Sequence, residues 1–345
     1  MSFSSVGGET ELAMRGVDRR VSRLRAGELL RRNPAAVRGT YVITGGLGGL
    51  GLRAAELVLD RGASSVVLAS RSGRVARGGQ GLEAQLSSVR RSALVLACDS
   101  ADGDEVLALL RASLDFGAGS VRGILHTAGI PDKGLLSEMH RYRFEVTAAP
   151  KAGGAWRLHQ HVSSLRLDAL VQWSSVGAAF GNAGQGTYTL SNSYLDGLTL
   201  CRRAQGNVAA CMQWPLITGA GMGAVGWSEK QTRSRGMAAI SIDEYAAGLL
   251  LALTAGARMM SRAHVPLPSD VAEMLESVSD SSQPLYAEIE KPKRTASLPV
   301  AAAAARVLDL DSVMEMVRSY AEGTCHGGKK APKSAGRQKE PGVGA

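Results

Sequence analysis

A doubly wound α/β fold, with a parallel sheet of about seven strands and helices on both faces, is what this 345-residue sequence predicts. Three observations predict it. Short β-branched runs alternate with helical stretches from residue 40 to about residue 267, the spacing of successive βαβ units. A glycine loop, GGLGGLG at 45–51, stands between the first such run and the first helix. The chain is long enough to bury a sizeable core, and it carries no run of 18 apolar residues that would span a membrane.

The elements follow in order. Thr40–Thr44 (TYVIT) is the first strand, and 52–62 (LRAAELVLDRG) is an amphipathic helix that ends in a glycine. A second strand is expected at 66–69, a helix at 81–91, a third strand at Ala93–Ala97, a helix at 104–114 and a fourth strand at 123–126. A helical stretch over 143–162 leads to an apolar strand beginning at Leu167, and a further helix covers 186–203. A strand at 209–213, a helix at 243–255 and a last strand at 264–267 complete the alternation. Past residue 276 it stops. Residues 277–299 read as a linker, 300–322 as an Ala-rich helix and 323–345 as a disordered basic tail rich in Gly, Pro and Lys. Residues 1–38 are Arg-rich and poorly patterned, which leaves 39–276 as the folded domain.

Charge and cysteine usage exclude several classes of function. The net charge is +9, but residues 1–40 hold eight Arg against four acidic residues, and residues 326–345 hold five Lys or Arg against one Glu. The body between them is nearly neutral, so the basicity belongs to solvated ends rather than to a nucleic-acid surface. Aromatic residues make up only 4%, too few for a base-stacking platform. Cys98, Cys201, Cys211 and Cys325 are widely spaced without a CxxC pair, so no metal site and no disulfide framework is expected. The N-terminus lacks a basic-then-apolar signal pattern. Reduced thiols in a cytoplasmic setting follow.

The glycine loop points to a dinucleotide. Gly45, Gly46, Leu47, Gly48, Leu50 and Gly51 follow a strand and open a helix, where small residues let the backbone approach a pyrophosphate and the helix N-terminus supplies N–H donors. The sheet is therefore expected to be Rossmann-like. An acidic residue at the end of the second strand would hold the ribose hydroxyls of NAD; Ser70-Arg71-Ser72 stands there instead. A guanidinium pairs with a 2′-phosphate, so Ser70 and Arg71 point to NADP. Asp99, closing the third strand, is placed to hydrogen-bond the adenine edge. Thr127 and Ala128 of His126-Thr-Ala-Gly129 let the cofactor pass close over the backbone.

Residues 173–196, WSSVGAAFGNAGQGTYTLSNSYLD, hold the second set of candidates. Ser175 ends an apolar run, Tyr188 follows thirteen residues later, and Asn192 lies one helical turn beyond it. A serine at a strand end facing a tyrosine and an amide suits carbonyl reduction. A strand, a Gly-rich turn and a helix with a buried tyrosine would show the same residues.

The glycine fingerprint, HTAG and the Ser–Tyr spacing together resemble the short-chain dehydrogenase/reductase superfamily. Ordinary members carry lysine four residues after the tyrosine, where this chain has Asn192. Its lysine stands upstream, in APKAGGAWRLH (149–159), at Lys151. That exchange resembles the ketoreductase (KR) domain of modular type I polyketide synthases, as do GTYVITGGLGGLG (39–51), SSVGAAFGNAGQGTY (174–188), NSYLDGL (192–198) and WPLITGAGM (214–222). The likeness covers roughly residues 39–255.

The resemblance implies NADPH-dependent reduction of a β-ketoacyl thioester, with other polyketide synthase domains and an acyl carrier as partners. Tyr188 would donate the proton and Ser175 a second hydrogen bond; Lys151 would bind the nicotinamide ribose and lower the tyrosine pKa, and Asn192 would hold the relay. Ser174 is expected to support the turn. Family catalytic domains are usually preceded by a truncated structural subdomain, and residues 11–24 resemble only its tail. Pro131-Asp132-Lys133 replaces the Leu-Asp-Asp of many members, and Phe180 stands where one stereochemical class has tryptophan. Both tilt the expected product toward the L-hydroxyl (A-type). Two other readings stay open: a silent docking module that keeps the fold, and a dehydrogenase of free secondary alcohols.

Overall fold

Val42, Ile43, Val66, Val67, Leu68, Ile124 and Leu125 are all but inaccessible to solvent on neighbouring strands. Strands buried on both faces carry unbroken β-branched runs instead of alternating ones, which is why these segments read as they do. The computed structural model describes residues 13–15, 18–20, 37–76, 81–118, 120–181, 184–219, 239–255 and 282. Within the N-terminal segment, β1 (Ala13–Arg15) and β2 (Asp18–Arg20) pair as a short antiparallel ladder.

The main domain alternates strand and helix. It runs β3 (Thr40–Thr44), α1 (Gly49–Asp60), β4 (Ser65–Ser70), α2 (Leu82–Val89), β5 (Ala93–Ala97), α3 (Gly103–Phe116) and β6 (Val121–His126). Then come α4 (Arg141–Ala148), α5 (Gly154–His161), β7 (Ala169–Ser175), α6 (Val176–Phe180), α7 (Gly186–Ala204), β8 (Ala210–Trp214) and α8 (Ile242–Ala255). Six strands make one sheet in the order β5-β4-β3-β6-β7-β8, every pair parallel. This is the Rossmann-like arrangement expected, and the strand order reverses between β3 and β6. The seventh strand expected at 264–267 lies outside the described residues, as do the helix at 300–322, the tail and, apart from residue 282, the linker at 277–299.

The pleat sorts side chains to two faces. Tyr41, Ile43, Val66, Leu68, Leu125 and Val171 point to one face and meet α1, α2 and α8. Val42, Val67, Ile124 and Leu170 point to the other and meet α3 and α5. Each such fully buried aliphatic side chain contributes about 1.5–3 kcal/mol. An aromatic file, Trp173–Trp214–Tyr245, links β7, β8 and α8 with ring centroids 6.0 and 4.7 Å apart. The Tyr245 hydroxyl donates to the Leu50 carbonyl at 2.9 Å, tying α8 to α1.

Local chemistry shifts three boundaries. The first helix starts at Gly49, inside the glycine loop and three residues before the expected 52, because extended Gly48 serves as its N-cap. The strand expected from Leu167 starts at Ala169: the Leu167 N–H is turned to Leu165 and the Asp168 N–H to Arg122. The helical stretch 143–162 is broken by a π-helical turn, Ala149–Gly153. Pro150 has no N–H and its ring crowds the carbonyl one turn back, so a regular α-helix cannot run through it. Lys151 sits at the centre of that turn.

Candidate active site

The site lies at the carboxyl ends of β3, β6 and β7, beside the point where the strand order reverses. Its first half is the glycine loop. Gly45 turns the chain off β3 at φ +71°, and a Cβ there would lie 2.7 Å from the Ala128 nitrogen. The loops after β3 and β6 are thus in backbone contact. The Thr127 N–H and hydroxyl both donate to the Thr44 carbonyl, at 3.0 and 2.7 Å. A Cβ on Gly51 would meet the Gly45 carbonyl oxygen at 2.6 Å, so α1 can press against its own loop only with glycine there.

The residues fit a dinucleotide. The N-terminus of α1 has no side-chain cap and no acidic residue in its first turn, so its N–H groups and dipole are free for an anion. Gly46 donates to the Ala69 carbonyl and Gly48 to Gly45, fixing the loop. Leu47 is buried in the core and Leu50 is half-buried, so they can offer a ligand backbone more than side chain. At the end of β4, Ser70 donates to the Arg74 carbonyl at 3.3 Å. Arg71 is exposed and, among the described residues, has no ion-pair partner. One Asp99 carboxylate oxygen accepts from the Ala101 N–H at 3.0 Å.

The second half gathers four side chains from three elements. Ser175 ends β7 and caps α6, its Oγ accepting from the Gly177 N–H at 3.2 Å. Tyr188 stands in the first turn of α7, between Ser175 and Asn192. Burial raises its pKa above the ordinary value, and hydrogen bonds to Asn192 and Ser175 act against that rise. Asn192, fully buried one turn later, donates from Nδ2 to the Tyr188 carbonyl at 2.8 Å. Its Oδ1 is buried with no partner among the described residues.

Lys151 enters from the π turn and is 3% exposed. Its ammonium donates to the Trp173 carbonyl at 2.7 Å and lies 5.5 Å from the Tyr188 ring centroid. A Cβ on Gly129 would lie 2.8 Å from Lys151 Cε, so the glycine of HTAG makes room for the lysine stem. Burial lowers the Lys151 pKa to about 8, with Cys211 and Asp196 acting in the opposite direction.

Sequence reasoning missed the polar layer behind these four. Asp196, two turns after Tyr188, accepts from the Cys211 thiol at 2.9 Å and the Gln213 amide at 2.7 Å. Burial raises its pKa, while bonds from Cys211, Gln213 and Ser174 lower it. Ser174 also donates to the Asn192 carbonyl at 3.2 Å, so it anchors α7, where it was expected to support the turn. The repeat Tyr188, Asn192, Asp196 at one-turn spacing was the available signal. In front of the site, Gly134 pairs with Gln185 as an isolated bridge, and the Gly134 N–H donates to the Gly184 carbonyl at 2.8 Å. Asp132 is buried and ion-paired with Arg143 at 2.7 Å. Among the described residues, no helix is long and apolar enough to cross a membrane, and no cluster of His, Cys, Asp and Glu could hold a metal.

Known proteins resemble this chain. Residues 39–219 match the KR domain family. The polyketide synthase GfsA of Streptomyces halstedii is 38% identical over 247 residues, which is 69% of this chain and 3% of that protein. The phenolphthiocerol synthesis polyketide synthase Pks15/1 of Mycobacterium marinum is 38% identical over 219 residues, 63% of this chain and 10% of that protein. The chain thus spans only a small part of the curated relatives it matches. A solved A1-type ketoreductase superposes with a TM-score of 0.70 at 27% identity, covering 82% of this chain and 59% of the other. The glycine loop, the Lys/Asn exchange around Tyr188, the sheet order and these matches agree: the chain belongs to the ketoreductase domains of modular polyketide synthases, in the short-chain dehydrogenase/reductase superfamily.

Proposed function

We propose that this domain uses NADPH to reduce a β-ketoacyl thioester, delivered on an acyl carrier, to the β-hydroxyacyl thioester. The convergence of Ser175, Tyr188, Lys151 and Asn192 beside the glycine loop carries the reading. Bound NADPH supplies a hydride to the ketone carbon; the side chains handle the oxygen. Tyr188, whose hydroxyl stays protonated at neutral pH, donates the proton that turns the developing alkoxide into an alcohol. Ser175 donates a second hydrogen bond to the same oxygen, stabilising its charge as it forms. Lys151 binds the nicotinamide ribose and supplies a positive charge near the tyrosine; Asn192 locks the tyrosine's turn of α7. Arg71 takes the 2′-phosphate that separates NADPH from NADH.

The catalytic unit is residues 39–276, and the sequence of residues 1–38 resembles the tail of a truncated structural subdomain. Cys98, Cys201 and Cys211 are all unpaired thiols, which supports a reducing cytoplasmic setting. The absence of an acid at 133 and the likeness to an A1-type ketoreductase support an L-hydroxyl product.

The test follows NADPH absorbance with carrier-bound and free β-ketoacyl substrates, with chiral analysis of the product. Tyr188→Phe is expected to lower kcat by about 10²–10⁴-fold while calorimetry shows NADPH still bound. Undiminished turnover in that variant would sink the site assignment. A preference for free ketones would make the domain a dehydrogenase of small alcohols.

A further inference from the structure

Lys151 lies on a distorted turn, and something must hold that turn in one shape. A π turn widens the helix and loosens its carbonyls from their regular donors. Two of those carbonyls accept from side chains at the carboxyl edge of the sheet, and that of Lys151 also keeps a bond from the Gly154 N–H. Ser100, just beyond β5, donates to the Pro150 carbonyl at 3.1 Å. The Nε2 of His126, the last residue of β6, is 2.8 Å from the Lys151 carbonyl. The other imidazole nitrogen, Nδ1, is 2.7 Å from the hydroxyl of Thr44, the last residue of β3.

These contacts settle the tautomer. A carbonyl only accepts, so Nε2 carries the hydrogen; Nδ1 is then the acceptor, and Thr44 donates. The ring is 1% exposed, and burial lowers its pKa to about 4, with the Lys151 carbonyl acting the other way and the Lys151 charge adding to the fall. It is therefore neutral at working pH. His126 does not point into the site: it has Gly154 against Cε1, and a Cβ on Gly154 would come within 2.9 Å. One hydrogen-bonded line thus runs from the foot of the glycine loop, Thr44, through His126 to the backbone of Lys151. The lysine's other end is pinned at the Trp173 carbonyl.

We propose that His126, loaded by Thr44 and assisted by Ser100, is a positioning residue that holds the π turn so that the Lys151 ammonium meets its partners at the catalytic tyrosine. This rests on the reading of Lys151 as part of the active site. It makes the cofactor loop and the lysine a single unit: a shift of β3 at Thr44 is transmitted to Lys151 through one imidazole. A misplacement on the order of 1 Å in such a group lowers turnover by up to about 10²-fold.

The test keeps the full chain and removes the brace at its far end. Thr44→Val deletes the hydroxyl donor with little change of shape, and Thr44→Ser restores it. We expect Thr44→Val to lower kcat about 10–100-fold with the ketone KM within about twofold, and Thr44→Ser to return most of it. A spectroscopic readout needs no activity: in protein labelled with ¹⁵N-lysine, the Nζ resonance that disappears in Lys151→Met is followed in the other variants. It should move in Thr44→Val and in Ser100→Ala and return in Thr44→Ser. Equal losses in Thr44→Val and Thr44→Ser that track melting temperature, or an Nζ resonance unmoved by Thr44→Val, would overturn the brace. Full turnover in Lys151→Met would instead overturn the assignment of the lysine.

Discussion

The Lys151 ammonium lies 5.5 Å from the centre of the Tyr188 ring, yet its hydrogen bond goes to the Trp173 carbonyl. The two residues are thus neighbours through space, and each is held by other partners: the Tyr188 backbone by the Asn192 amide, Lys151 by the strand beside it. Burial raises the tyrosine pKa and only the hydrogen bonds to Asn192 and Ser175 act against the rise, so the lowering by Lys151 that the resemblance implies is not seen.

Reduction should fail on the alkaline side because of Lys151. Its pKa is lowered to about 8, whereas that of Tyr188 is raised, so the lysine loses its proton first. The groups facing it are Tyr188 and Asp196 on α7, Cys211 on β8 and His126 on β6; none of their shifts brings a second titration near pH 8 on its alkaline side. The logarithm of kcat/KM should fall with unit slope above about pH 8 in a pH–rate series. A profile flat to pH 10 would show that the ammonium is dispensable.

Holding that charge indoors costs stability. Below about pH 8 lysine is protonated both folded and unfolded, and the buried ammonium carries its full desolvation penalty. Between about 8 and the ordinary 10.5 the unfolded chain holds the extra proton, so stability rises with pH. The shift corresponds to roughly 3 kcal/mol. Lys151→Met should therefore raise the melting temperature at pH 7 while abolishing turnover, with the gain shrinking toward pH 10. Urea melts at several pH values check the trend.

Cofactor choice should follow Arg71, whose guanidinium is unpaired among the described residues. A charged hydrogen bond to the 2′-phosphate is worth about 1.5–3 kcal/mol. Arg71→Glu is expected to raise the KM for NADPH about 10–100-fold and to lower that for NADH. Unchanged NADPH kinetics would place the 2′-phosphate elsewhere.

Two glycines should respond oppositely to alanine. At Gly51 a Cβ would strike backbone, 2.6 Å from the Gly45 oxygen and 2.7 Å from Gly46 Cα, so neither neighbour can turn aside. Gly51→Ala should destabilise by about 1–3 kcal/mol and weaken NADPH binding at least tenfold. At exposed Gly197, in the middle of α7, nothing lies within 4 Å. Gly197→Ala should stabilise by about 0.5–1 kcal/mol, read as a denaturation midpoint shift with activity retained.

The periodic parts of this chain were legible in advance because their physics is local. Thr40–Thr44 and Ala93–Ala97 come out with the expected bounds, since an isolated run of five mostly apolar residues is long enough for a strand and too short for a helix. The Tyr188–Asn192 spacing was legible for the same reason: a one-turn repeat is a local fact. The parts that escaped depend on contacts between segments far apart in sequence. Nothing in HTAG shows that its histidine spans 25 residues to a lysine carbonyl and 82 to a threonine hydroxyl. Asp196 reads as a helix-surface acid until β8 brings Cys211 and Gln213 under it. The π turn lay between: Pro150 followed by Gly153 and Gly154 forbids a regular helix, but does not say which irregular one results.

The tie between Tyr245 and Leu50 bears on how this ketoreductase domain could be transplanted into another protein. The family match ends at residue 219, a natural-looking place for a graft boundary. Yet Tyr245, Leu249 and Ala252 of α8 are fully buried, and the tyrosine reaches back 195 residues to the helix that the glycine loop opens. A swap cut at 219 would strip the back wall from that helix and leave Trp214 facing water. A junction placed beyond residue 255 carries the wall along with the chemistry.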